Sequence, residues 1–211
     1  IDAMKHLTLG SLAAVLILVG AGCSTSTPVI DSEVVQTRGE ASDITFTYPD
    51  AVQETKTWEF PGTLPEEQIA NKQIRITTTK GDIVFQMFAD TAPLTVSNFV
   101  YLTTGGYYDG LSFHRRDEGF VIQGGDPNGN GRGGPGYDFE DELADDYTYQ
   151  RGIVAMANKG PDTNGSQFFI MLADYPLPHN YTIFGRVIKG QDVVDAICKT
   201  PTGAQDRPQK P

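Results

Sequence analysis

Two blocks of this sequence hold polar side chains in apolar company. The first runs Phe113-His114-Arg115 and then Phe120-Val121-Ile122-Gln123-Gly124-Gly125-Asp126. The second runs Met156-Ala157-Asn158-Lys159-Gly160-Pro161 and then Asn164-Gly165-Ser166-Gln167-Phe168-Phe169. Together they offer one guanidinium, Arg115, and two amides, Gln123 and Gln167, above an apolar floor. Arginine stays protonated and presents a planar fork of donors. No Ser/His/Asp set, carboxylate pair or metal cluster accompanies the blocks, so neither a cofactor nor a metal is expected. Such a site suits a reaction that breaks no bond to a heavy atom, such as rotation about an amide.

The elements that must hold these residues are read from periodicity. Ile74 and Ile76 alternate with polar residues, and Ile83 to Phe88 follow after Thr79-Lys80-Gly81-Asp82. This predicts a β-hairpin with a two-residue Lys80-Gly81 loop. Pro93 opens a helix where its missing N–H does no harm. Val96, Phe99, Val100 and Thr103 share one face of that helix, and Gly105-Gly106 ends it. Short strands are predicted at 111–114, 120–123, 153–157, 168–172 and 182–187, and a second helix at 191–199. Seven short strands with one early and one late helix imply a closed β-barrel capped at both ends. No apolar strand follows Thr200, so the last strand of such a barrel is expected to be missing.

The 211 residues suffice for one domain plus an appendage. A net charge of −11 argues against nucleic acid, which needs clustered Lys and Arg to neutralise phosphate. Residues 1–22 read as an export signal. Met4-Lys5-His6 is basic, Leu7 to Val19 is apolar but too short to span a bilayer comfortably, and small residues precede Cys23. This resembles a bacterial lipoprotein signal, in which Cys23 is acylated and holds the protein on a membrane outside the cytoplasm. The alternative is an ordinary secretory signal cut near Ala21, which would release a soluble protein. Residues 23–56 read as a flexible tether. Residues 57–71 form an N-terminal extension whose Trp58 packs against the domain, and 72–211 form the domain itself. Cys198 reads as a small buried hydrophobe rather than a disulfide partner of Cys23.

The paired motifs, with Lys80-Gly81-Asp82, Asn98-Phe99, Tyr107-Tyr108-Asp109-Gly110 and Phe184-Gly185-Arg186-Val187, resemble a cyclophilin-type peptidyl-prolyl cis-trans isomerase from about Gln73 to Pro201. The resemblance implies a mainly β fold, an eight-stranded antiparallel barrel with two capping helices, acting as a monomer on X–Pro bonds of polypeptides. It assigns Arg115 and Gln123 to catalysis. It assigns Phe120, Val121, Ala157, Asn158, Gln167, Phe169, Leu177 and Tyr181 to substrate binding. Pro176 stands where drug-sensitive members carry tryptophan, which implies weak cyclosporin binding. Arg116-Asp117-Glu118 replaces a stretch that is usually apolar.

Other motifs take plainer readings. Gly129-Asn130-Gly131-Arg132-Gly133-Gly134 matches a dinucleotide fingerprint, but Pro135 follows and no helix opens, so it is read as a loop beside the groove. His114 reads as a structural histidine. The acidic run Asp138 to Asp146 lacks the order of a calcium loop and is read as a solvated face. Two functions remain open: an isomerase assisting the folding of exported proteins, and a module that binds Pro-containing segments with little turnover.

Overall fold

The computed structural model describes His6–Gly10 and residues 56–200. The strands are β1 (His6–Gly10), β2 (Gln73–Thr78), β3 (Gly81–Met87), β4 (Arg115–Asp117), β5 (Val121–Gly124), β6 (Ile153–Met156), β7 (Phe168–Met171) and β8 (Ile183–Lys189). The helices are α1 (Glu66–Ile69), α2 (Pro93–Thr104) and α3 (Gln191–Cys198). All paired strands are antiparallel, in the order β1-β2-β3-β8-β6-β7-β5-β4.

This corrects the expectation of a closed eight-stranded barrel. The strands β2 to β8 form a seven-stranded sheet curled into an open half-barrel and capped by helices. Closure requires a partner on both sides of every strand, and among the described residues β4 has only β5. With three residues and three charges, Arg115-Arg116-Asp117, β4 has the shortness and charge that blunt a sheet edge. At the other end β1, which falls within the segment read as an export signal, pairs with β2 in the register Leu7↔Ile76 and Leu9↔Ile74.

Local boundaries also move. Thr78 pairs with Gly81, so the hairpin loop is Thr79-Lys80, one residue earlier than predicted. The Thr78 hydroxyl closes it by accepting the Lys80 N–H at 3.0 Å and donating to the Gly81 carbonyl at 2.8 Å. The strand predicted at 111–114 lies instead at Arg115–Asp117.

Side-chain alternation divides the sheet into two faces. Ile122, Val154, Met156, Phe168 and Ile170 join the main core beneath α2 and α3. Their neighbours Val121, Ile153, Ala155, Phe169 and Met171 join a second apolar cluster on the other face. Both faces are covered, which is why β6 and β7 read as unbroken apolar runs. In the main core Phe99 of α2 is fully buried and stacks on Tyr108 at 4.7 Å, with Phe168 and Phe184 at 5.3 and 5.1 Å.

The start of α2 explains part of the acidic run. Ala92, at the N-cap, offers no side-chain acceptor, and Glu142 supplies both. Its two carboxylate oxygens accept the Leu94 and Thr95 N–H groups at 2.9 and 2.8 Å. A carboxylate there satisfies orphan donors and faces the positive end of the helix dipole. Asp138, Glu140, Asp145 and Asp146 are exposed, as a solvated face requires.

Candidate active site

The second face of the sheet assembles the predicted residues. Register places Arg115 opposite Gln123, Gln123 opposite Phe169, and Phe169 opposite Ala155. One row across β4, β5, β7 and β6 therefore carries a cation, an amide, an aromatic ring and a small residue. The next row pairs Asp117 with Val121 and Val121 with Met171.

Above these rows lies a cavity of about 430 Å³. It is lined by Arg115, Phe120, Val121, Gln123, Ala157, Asn158, Phe169, Leu177 and Tyr181, which are nine of the ten residues named from sequence, together with Tyr175. The tenth, Gln167, lines a smaller adjoining cavity that shares Gln123, Ala157 and Asn158. Gln167 is buried. It accepts an N–H from Gln123 at 2.9 Å and donates its own to the Gly133 carbonyl at 2.8 Å. Through the first of these bonds Gln167 fixes Gln123 at the edge of the larger cavity.

The floor is Val121 and Phe169, both buried, and Tyr181 stands edge-on to Phe169 at 5.6 Å. The Tyr149 hydroxyl pins Tyr181 twice, donating to its carbonyl at 2.8 Å and accepting its N–H at 3.0 Å. Asn158 is anchored through its side chain to the Asn180 carbonyl at 2.8 Å. This leaves its backbone as the part that can follow a bound chain.

Arg115 lies at the rim, its guanidinium carbon 5.6 Å from the centre of the Phe120 ring. Its Nη2 pairs with the Asp117 carboxylate at 3.0 Å, both side chains being partly exposed. Its neighbour Arg116 points the other way, into the core, toward the Ile197 carbonyl at the end of α3. A cation there complements the negative end of the helix dipole.

Tyr175 was not found from sequence. It is half exposed and tilts over Phe120 at 4.8 Å, while the adjacent Pro176 does not line the cavity. A single aromatic in a Pro-flanked loop carries no periodic signal; only its likeness to the aromatic expected one position on could have pointed to it.

The glycine-rich loop is organised around Asp126. That carboxylate accepts backbone N–H groups from Asn128, Asn130, Gly131 and Arg132. Burial would raise its pKa, but bonds from Asn128, Asn130 and Gly131 outweigh that and hold it below the usual value. An internal anion thus takes the donors that a bound phosphate would need, consistent with a loop rather than a nucleotide site. Gly125 and the Asn164–Gln167 turn press together, since a Cβ on Gly125 would lie 2.2 Å from the Ser166 carbonyl oxygen. Asn164-Gly165-Ser166 has the form of a glycosylation sequon, but Asn164 is fully buried, which excludes it as a glycan acceptor in the folded domain.

Residues 73–211 match the family described as cyclophilin type peptidyl-prolyl cis-trans isomerase/CLD. A peptidyl-prolyl cis-trans isomerase of Arabidopsis thaliana is 50% identical over 140 residues, covering 64% of this chain and 88% of the relative. Peptidyl-prolyl cis-trans isomerase A of Mycobacterium tuberculosis is 46% identical over 162 residues, covering 68% and 89%. The crystal structure of a Cryptosporidium parvum cyclophilin type isomerase, solved in the presence of the dipeptide Ala-Pro, superposes with a TM-score of 0.62. It is 40% identical, over 64% of this chain and 90% of that one.

Proposed function

Because the chain belongs to the cyclophilin-type peptidyl-prolyl cis-trans isomerase family, we propose that its cavity binds the proline of an X–Pro segment and that Arg115 drives the rotation. Amide resonance sets a barrier of about 18–20 kcal/mol. Both isomers of an X–Pro bond are populated, yet uncatalysed exchange takes tens to hundreds of seconds. In the twisted transition state the prolyl nitrogen turns pyramidal and regains a lone pair. A donor aimed at that nitrogen stabilises the twisted form and not the planar one, which is the condition for catalysis.

The observation that carries this reading is the single register row that sets Arg115 and Gln123 beside Phe169. Val121, Phe169, Leu177 and Phe120 would hold the pyrrolidine ring and keep water out, strengthening the guanidinium's effect. Gln123, held by Gln167, and the backbone of Asn158 would hold the rotating carbonyl and the flanking peptide. No proton moves, so no general base is needed. In a protease-coupled proline-peptide assay, Arg115→Ala is expected to lower kcat/KM by about 10²–10³. Arg115→Lys keeps the charge without the fork and should retain little activity. Full activity in Arg115→Ala would overturn the assignment.

A second reading draws on the Arg115–Asp117 pair. With its guanidinium engaged at 3.0 Å, the domain could hold Pro-containing segments with slow turnover. Equal peptide binding without acceleration would select that reading.

The clients are proposed to be exported polypeptides, with the domain held outside the cytoplasm by a lipid on Cys23, a residue outside those described. Among the described residues no helix is long and apolar enough to cross a membrane. Weak cyclosporin binding is expected, since Pro176 stands where drug-sensitive members carry tryptophan and offers no N–H donor in place of the indole. Nanomolar affinity in a titration would contradict this.

A further inference from the structure

We propose that Trp58 and Phe60 of the N-terminal extension are positioning residues for the isomerase site. They act through the hydroxyls of Tyr107 and Tyr137 on the turn that carries Gln167; the inference rests on the isomerase reading above. The family model matches from residue 73, so Trp58 and Phe60 lie ahead of the part it describes.

Two lines of contact run inward from the extension and meet. In the first, Trp58 stands edge-on to Tyr107 at 5.3 Å, and Tyr108 stands edge-on to the same ring at 5.2 Å. Held between them, Tyr107 places its hydroxyl 2.9 Å from Ser166 Oγ, which donates to the Gly125 carbonyl at 2.7 Å. In the second, Phe60 stacks on Phe139 at 5.1 Å and tilts onto Tyr137 at 5.4 Å. The Tyr137 hydroxyl donates to Asn98 Oδ1 at 2.6 Å, and Asn98 Nδ2 donates to the Gly165 carbonyl at 2.8 Å. The lines end on consecutive residues, Gly165 and Ser166, immediately before Gln167, which fixes Gln123 in the cavity.

Burial is what gives each hydroxyl its leverage. Desolvation raises the pKa of both Tyr107 and Tyr137, so each phenol stays protonated and donates through the whole working range. With the rings clamped from outside, loosening the extension frees both hydroxyls to rotate away from the turn. Gln123 then loses its fixed partner while the apolar floor, built from β5 and β7, stays intact. The effect falls on the transition state more than on proline binding, so it belongs to kcat rather than KM.

Trp58 is the chain's only tryptophan, so its emission reports the docking of the extension directly. With the full chain, the double variant Trp58→Ala/Phe60→Ala is expected to lose roughly three- to tenfold in kcat, the equivalent of one hydrogen bond, at nearly unchanged KM. Trp58→Phe keeps an aromatic edge and should restore most of it. Tyr107→Phe keeps every ring contact and removes only the hydroxyl, so it decides the matter if the double variant fails to fold. It should retain the free protein's emission and still lose kcat. The Gln123 side-chain amide, held by Gln167 at 2.9 Å, should shift in the NMR spectrum of free Tyr107→Phe relative to the wild type. Wild-type kcat in Tyr107→Phe, or an unmoved Gln123 amide signal in that variant, overturns the proposal. If the wild type itself fails to accelerate exchange, the isomerase reading fails separately, and the Gln123 amide shift alone decides whether extension and cavity are coupled.

Discussion

Arg115 shares its face of β4 with Asp117, two residues on, because strand side chains alternate. The 3.0 Å pair is partly exposed, and such pairs are worth only about 0.2–1 kcal/mol. A substrate can therefore displace Asp117 cheaply, yet each encounter must do so. Asp117→Asn is expected to raise kcat/KM about two- to fivefold on uncharged peptides in the coupled assay; an unchanged or lowered value would show that the carboxylate orients Arg115 usefully. The motifs made Arg115 and its companions legible in the sequence, since a guanidinium and amides among aromatics stand out. The pairing with Asp117 was hidden because the apolar residues Leu111 and Phe113 drew the predicted strand to 111–114, whereas the strand that pairs with β5 is Arg115–Asp117. Tyr175 was hidden for want of any pattern around it.

The elements that hold the site are fixed by polar groups reaching across long stretches of sequence. Asp126 anchors the loop that supplies Gly133, and its carboxyl is held below the usual value near 3.9. Because the folded value lies below the unfolded one, its stabilising contribution is complete above the unfolded value. It fades as pH falls through the folded one. Asp126→Asn is expected to cost about 2 kcal/mol at pH 7 by urea unfolding. The gap between variant and wild type should narrow below about pH 4, and an equal gap at pH 3 would contradict the account. Helices were legible from their punctuation, Pro93 and Gly105 for α2, and the strands from short apolar runs. The partner of the α2 N-terminus was not, because Glu142 comes from 47 residues away and local capping patterns stop at the next turn. Sheet closure was misread for the same reason, since pairing at the edges depends on residues far apart in the chain.

At the scale of the whole molecule an acidic isomerase domain follows residues 1–56, which are proposed to be a leader and tether and lie largely outside the described residues. Their chemistry is tested apart from the fold. Mass spectrometry of the exported protein should find Cys23 as the acylated first residue, and a free N-terminus elsewhere would favour a secreted form. The central claim concerns the domain alone: a guanidinium beside an apolar cleft speeds rotation about X–Pro bonds. Exchange NMR on a proline peptide with a trace of the full chain measures this directly. The account predicts cis–trans cross-peaks with the wild type and none with Arg115→Ala. Peptide shifts that reveal binding, with exchange left at its spontaneous rate in the wild type, would contradict it.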